Sequence, residues 1–286
     1  MRTFQIGDMF CGAGGSTTGI QQAIDAMGCR AKIWAFNHWN IAIDTHSSNY
    51  ADVNHICASV ENLDPTTIFP KRELDLLWAS PACTHHSVAR GGRPKCEQQR
   101  APAWIILHWL ENLNVKRVII ENVPEFRNWG PLDNEGRIIR ESKGLTFQAF
   151  ITGIKSLGYS VDYRVLNAAD YGDPTVRKRL FIQAIKGAGR EITWPNITHV
   201  SKQDEVNLPQ WIPAREHFAQ VEPDVEYAID IRFRMLQPHE EAAAMSFPKE
   251  YLFRGNKGDI QKQIGNAVPV RLSRALAENI LSVEVA

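Results

Sequence analysis

Short apolar runs alternate with amphipathic stretches over the first two thirds of the chain. Residues 4–10, 31–36, 75–79 and 115–120 are nearly continuous apolar runs that end in polar, glycine- or proline-bearing turns, the pattern of strands buried on both faces. Residues 55–60 read as a short third strand. Between these runs, residues 17–28 carry Ile20, Ala23, Ile24 and Met27 at helical spacing, with Gly28 placed as a C-cap. Residues 41–50, 103–110 and 147–157 also read as helices, the last stopped by Gly158. Residues 160–166 and 180–185 look like paired strands. The alternation of strand and helix predicts a mostly parallel α/β sheet with helices on both faces. From residue 187 to about 230 the periodicity fades among Pro195, Pro209, Pro213 and Pro223, so this stretch reads as a small irregular region or linker. A helix-like stretch at 238–245 and a last helix at 270–285 follow, the latter with Leu272, Leu276 and Ile280 on one face and Pro269 near its start.

Composition narrows the class. The 286 residues suffice for one large domain, alone or with a small one, and 44% of them are apolar. No apolar run approaches the roughly 20 residues of a membrane span, and the start of the chain shows no signal-peptide pattern. The five cysteines form no framework, which points to a reducing, cytoplasmic setting. A formal net charge of zero exerts no global pull on nucleic acid, so any such binding must rest on local basic patches.

The candidate chemistry gathers at predicted strand ends. Cys83 follows the run at 75–79 through Ser80, Pro81 and Ala82, where open α/β sheets place reactive groups. A buried inert thiol is the other reading of that cysteine. A glycine-rich turn, Cys11 to Ser16, joins the first strand to its helix; it suits a cofactor cradle and equally a merely tight turn. Trp39, past the second strand, suits stacking on a purine or a place in the core. Glu121 ends the run at 115–120 beside Asn122 and Pro124, a site for a carboxyl of raised pKa or for a helix cap. Arg177, Lys178 and Arg179 can clamp a phosphate or a base carbonyl. Arg90, Arg93 and Lys95 lie in a glycine-containing basic loop that suits phosphates or plain solvent. Cys83, His85 and His86 lack the paired spacing of a closed zinc site, so no metal is expected.

Taken in order, these blocks resemble the cytosine-5 DNA methyltransferases. Asp8-Met9-Phe10-Cys11-Gly12-Ala13-Gly14-Gly15 is similar to the family's S-adenosylmethionine loop, Pro81-Ala82-Cys83 to its nucleophile motif and Glu121-Asn122-Val123 to its Glu-Asn-Val motif. Residues 170–179 resemble its basic motif, Arg234-Met235-Leu236 to Phe247-Pro248 the helix after its recognition domain, and Gln263 to Pro269 its closing motif. The resemblance implies a Rossmann-like, class I S-adenosylmethionine-dependent core with a reduced recognition region. It divides the chain into a catalytic core at 1–186, a recognition region at 187–231 and a closing segment at 232–286. It implies methyl transfer to carbon 5 of cytosine in DNA, with Cys83 as nucleophile, Glu121 at ring nitrogen 3, Arg179 at the base carbonyl and Arg177 supporting the loop. Cofactor contacts fall on Asp8, Phe10, Cys11, Gly12, Ala13, Gly14, Gly15, His38, Trp39, Ser59, Val60, Ser80, Asn266 and Val268. Double-stranded DNA falls to Ser87, Arg90, Arg93, Lys95 and Lys178, with the loop from Ser87 to Lys95 closing over a flipped base.

The departures from that pattern set further expectations. His38 and Ser59 stand where the family has acids for the ribose and the adenine amino group, so looser ribose recognition is expected, or compensation by Asn37 or Asn40. Ala82, Thr84 and Thr175 replace a usual proline and two glutamines without removing a reacting group. The stretch at 187–231 is too short for an ordinary independent core. It implies relaxed specificity, a short recognised site, or a specificity subunit in trans, in a prokaryotic cell or phage-infected host. A tRNA-acting enzyme and a non-catalytic DNA-binding homologue are the alternatives that the sequence leaves open.

Overall fold

The computed structural model describes residues 1–81, 102–133, 137–201, 207–214 and 236–282. Seven strands form one sheet: β1 Thr3–Met9, β2 Arg30–Asn37, β3 Asn54–Cys57, β4 Glu73–Ala79, β5 Asn114–Asn122, β6 Tyr159–Asn167 and β7 Lys178–Lys186. Their order is β3-β2-β1-β4-β5-β7-β6. Neighbours from β3 to β5 run parallel, while β7 lies antiparallel to both β5 and β6. The expected mostly parallel α/β sheet is therefore what forms. Its strand order reverses between β1 and β4, and the carboxyl ends of the parallel strands there open a crevice.

Among the described residues eight α-helices accompany the sheet: α1 Gly15–Ala26, α2 Asn40–Asn49, α3 Pro65–Ile68, α4 Trp104–Asn112, α5 Leu145–Ser156, α6 Pro238–Ala244, α7 Lys257–Asn266 and α8 Val270–Ser282. One face of the sheet packs Phe4, Ile6, Leu76, Trp78 and Phe181 against Ile20 and Ile24 of α1 and Leu272, Leu276 and Ile280 of α8. The other packs Leu77, Ala79, Val118, Ile120 and Ile182 against Ile106 and Trp109 of α4 and Phe150 and Ile154 of α5. Both faces are covered, which is why β4 reads as an unbroken apolar run. α1 and α8 touch so closely at Gly19 that a Cβ there would overlap Ser273 and the backbone of α8. No helix among the described residues is long and apolar enough to cross a membrane.

Among the elements that differ from the expectation, two border the cleft. The third strand stops at Cys57 rather than reaching residue 60, because Val60 turns inward, 2% exposed, and begins a single 3₁₀ turn, Val60–Asn62. α7 is a helix that the apolar spacing does not predict. Its sequence holds Gly258 and Gly265 and few apolar residues, so propensity argues against it. A reciprocal capping box between Asn256 and Asp259 starts it. Ile264 then packs into a small cluster with Ala242, Met245 and Phe247.

Candidate functional site

The turn after β1 is built from left-handed backbone. Phe10, Gly12 and Gly14 have φ of 59°, 55° and 97°, and this reversal lets α1 begin at Gly15. A Cβ at Gly12 would meet only the Phe10 carbonyl, at 4.0 Å, whereas a Cβ at Gly15 would overlap the Val268 carbonyl of the segment after α7. Asp8 lies behind the turn, wholly buried. Its Oδ2 accepts the hydroxyls of Ser16 and Thr17, both at 2.6 Å. The chain of contacts continues from Thr17 Oγ1 to His46 Nε2 at 2.9 Å, and from His46 Nδ1 to His55 Nε2 at 2.8 Å. Burial pushes the Asp8 carboxyl up to about 6 and holds His46 down to about 3, so the imidazole at the middle of the network is neutral. Burial likewise raises the Cys11 thiol well above its ordinary range, as expected of an unreactive sulfur. Ala13 is buried and its carbonyl accepts the Tyr251 hydroxyl.

At the end of β2, His38 is exposed and Trp39 half-buried. Asn37 Oδ1 accepts the Trp39 N–H at 2.9 Å, so that oxygen is committed to the turn before α2. Lys262 Nζ, from α7, sits 4.3 Å from the centroid of the Trp39 ring. Ser59 stands half-buried at the head of the 3₁₀ turn that buries Val60.

The third group forms where β4, β5 and β7 meet. The Ser80 N–H donates to the Met9 carbonyl at 3.1 Å, joining the ends of β4 and β1. Asn122 Nδ2 donates to the Pro81 carbonyl at 3.1 Å, which pins the first residue of the cysteine loop to β5. Ala82, Cys83 and Thr84, and with them Ser87, Arg90, Arg93 and Lys95, lie outside the described residues. Because β7 runs antiparallel, it enters the sheet at the edge where β5 leaves it. Glu121 pairs with Phe181, which brings Arg179, two residues earlier, onto the same face. Arg179 Nε lies 3.1 Å from Glu121 Oε1. Burial raises the Glu121 carboxyl above the ordinary carboxylate range, opposed by Arg179 and then Arg177. Arg177 donates to the carbonyls of Gly265 and Ala267 at 2.7 and 3.1 Å, tying this loop to the end of α7. Lys178 is exposed, as is Asn266, while Val268 is buried. Asp173 caps α8 by accepting the amides of Arg271 and Leu272 at 3.2 and 3.0 Å.

Sequence reasoning missed the Thr17–His46–His55 chain, the Asn122–Pro81 bond and Lys262. Only the capping box before α7 left a readable signal for the element that carries Lys262. The region from 187 onward folds back where it is described. The Trp194 indole donates to Asp162 at 2.7 Å and the Trp211 indole to Asp170 at 2.9 Å.

Over residues 4–216 and 207–282 the chain matches the family described as C-5 cytosine-specific DNA methylase. A type II methyltransferase of Haemophilus parahaemolyticus, M1.HphI, is 25% identical over 96% of this chain and 86% of its own length. M.AgeI of Thalassovita gelatinovora, also a type II methyltransferase, is 27% identical over 88% of this chain, which spans 58% of that relative. Among solved structures, the methyltransferase EhMeth of Entamoeba histolytica superposes with a TM-score of 0.68 at 16% identity, covering 99% of both chains, a likeness of fold.

Proposed function

The chain belongs to the C-5 cytosine-specific DNA methylases, which transfer a methyl group from S-adenosylmethionine to carbon 5 of cytosine in DNA, and from that premise we propose a role for each group at the sheet edge. The observation that carries the proposal is the Glu121–Arg179 ion pair, next to Asn122, which holds Pro81 two residues before Cys83. Carbon 5 of cytosine is a weak nucleophile until a thiolate adds to carbon 6. Cys83 supplies that thiolate. Glu121, with its raised pKa, holds a proton at ring nitrogen 3 as charge develops there. Arg179 binds the base carbonyl oxygen, and Arg177 fixes the loop that carries it. Once carbon 5 bears the methyl group, a base removes its proton, the carbon 6–sulfur bond breaks and Cys83 leaves as thiolate. The cytosine must leave the duplex to meet these groups, with Ser87, Arg90, Arg93, Lys95 and Lys178 on the DNA backbone.

S-adenosylmethionine supplies the methyl group, and the residues present suit it. Gly12 leaves room beside the turn, the Trp39 ring is half-exposed for the purine, and Asn266 presents a free carboxamide. Phe10, Cys11, Ala13, Gly14, Gly15, Ser80 and Val268 shape the same cleft, with Asp8 bracing it from behind. His38, Ser59 and Val60 border the nucleoside end without a carboxylate, so ribose recognition is loose. The recognition region at 187–231 is short, and its described residues lean on the 1–186 core through Trp194 and Trp211, which supports a short or relaxed target, or a specificity subunit supplied in trans. Bisulfite sequencing of plasmid DNA from cells expressing the chain tests the proposal beside a Cys83→Ala control. Marked cytosines in wild type alone support it; unmarked DNA in both, with marked tRNA, overturns the assignment of substrate.

A further inference from the structure

The cation on Trp39 occupies space that a stacked base needs. α7 runs across the mouth of the cleft. Just before its cap, Gly255 packs against Ile41 in the first turn of α2, its Cβ position 2.9 Å from Ile41 Cγ2. Just after its end, Ala267 and Val268 lie against Gly15 at the start of α1. The helix therefore bridges the ends of β2 and β1, and Lys262 stands midway along it. From there the side chain reaches to Trp39 and sets its ammonium 4.3 Å above the ring. That height is the layer in which an aromatic ring stacks on indole. Among the described residues no carboxylate is paired with this ammonium, so the ring is its anchor. His38 at the ribose position and Ser59 at the adenine amino position offer it no carboxylate either.

We propose that Lys262 competes with the purine of the cofactor for the face of Trp39, so that nucleoside entry displaces its ammonium and this residue sets cofactor affinity. The inference rests on the reading of Trp39 as the purine platform. Competition at the ring acts on every ligand that carries adenine. Charge repulsion alone would act on the sulfonium of S-adenosylmethionine and spare the uncharged sulfur of S-adenosylhomocysteine.

Calorimetric titration of the full chain with adenosine, S-adenosylhomocysteine and S-adenosylmethionine separates these cases. Lys262→Met keeps the aliphatic stem and removes the cation. It is expected to tighten all three ligands by the same factor, roughly two- to five-fold, the worth of an exposed cation–π contact. In a Trp39→Ala background the same substitution should change nothing. Unchanged or weaker binding of adenosine by Lys262→Met, or tightening confined to the sulfonium ligand, overturns the proposal while leaving Trp39 in place. Wild-type affinity in Trp39→Ala removes the platform itself, and the proposal falls with it.

Discussion

The cleft has two walls built on opposite principles. The turn after β1 is held by a network in which the described residues form no ion pair: buried Asp8 at about 6, two hydroxyls, buried His46 at about 3 and half-buried His55. The wall formed by β5 and β7 rests on charge, a carboxyl and a guanidinium 3.1 Å apart, with a second guanidinium spent on backbone carbonyls. A wall that only has to keep its shape can rest on hydroxyls and a neutral imidazole around one carboxyl, because every further buried charge is costly. A wall that must move a proton needs a group whose protonation is balanced by its neighbours. Damage to the first should therefore appear in stability and cofactor binding, and damage to the second in turnover.

The sharpest way to break this contrast is Glu121→Gln, which keeps the shape and removes the proton. Methyl transfer should fall about 10²–10⁴-fold while the affinity for S-adenosylhomocysteine stays as in wild type, read by radiolabel transfer and calorimetry. Equal loss in both would make Glu121 part of the cofactor wall. Gly19→Ala acts on the other side by forcing α1 and α8 apart. It should lower stability by about 1–3 kcal/mol in urea unfolding. A neutral result would mean that the two helices separate freely. Asn122→Ala releases Pro81 from β5. It should cost about 1 kcal/mol of stability, and turnover should drop with cofactor binding intact.

The remaining effect is in pH. His46 is depressed in the folded state, so the unfolded chain binds the extra proton between pH 6.5 and about 3. Its contribution is complete above pH 6.5 and is lost as pH falls. Asp8 and Asp173, raised from 3.8 to about 6, act the other way: their contribution is complete below 3.8 and is lost as pH rises toward 6. The stability gap between wild type and His46→Gln should accordingly shrink as pH is lowered from 7 to 5 in urea titrations. A gap that widens would mean that His46 is charged in the folded protein.

Local information was enough for the strands and for the chemistry they end in. The runs at 4–10, 75–79 and 115–120 are apolar because β1, β4 and β5 are covered on both faces, and a pattern with that cause is legible one residue at a time. Gly28 and Gly158 are legible because the left-handed turn each makes is closed within its own few residues. The identity of the turn residues also marked Cys83, Glu121 and Arg179 as candidates before any contact was known. What only the tertiary structure decided is which distant groups meet. The insertion of β7 between β5 and β6 sets Arg179 against Glu121, 58 positions apart in the chain. The path of α7 sets Lys262 on Trp39, and Asn122 takes hold of Pro81. Each of these contacts is the product of closing a long loop, whose cost is repaid by the packing of whole elements rather than by the residues that touch. No local pattern carries a trace of a partner chosen in that way.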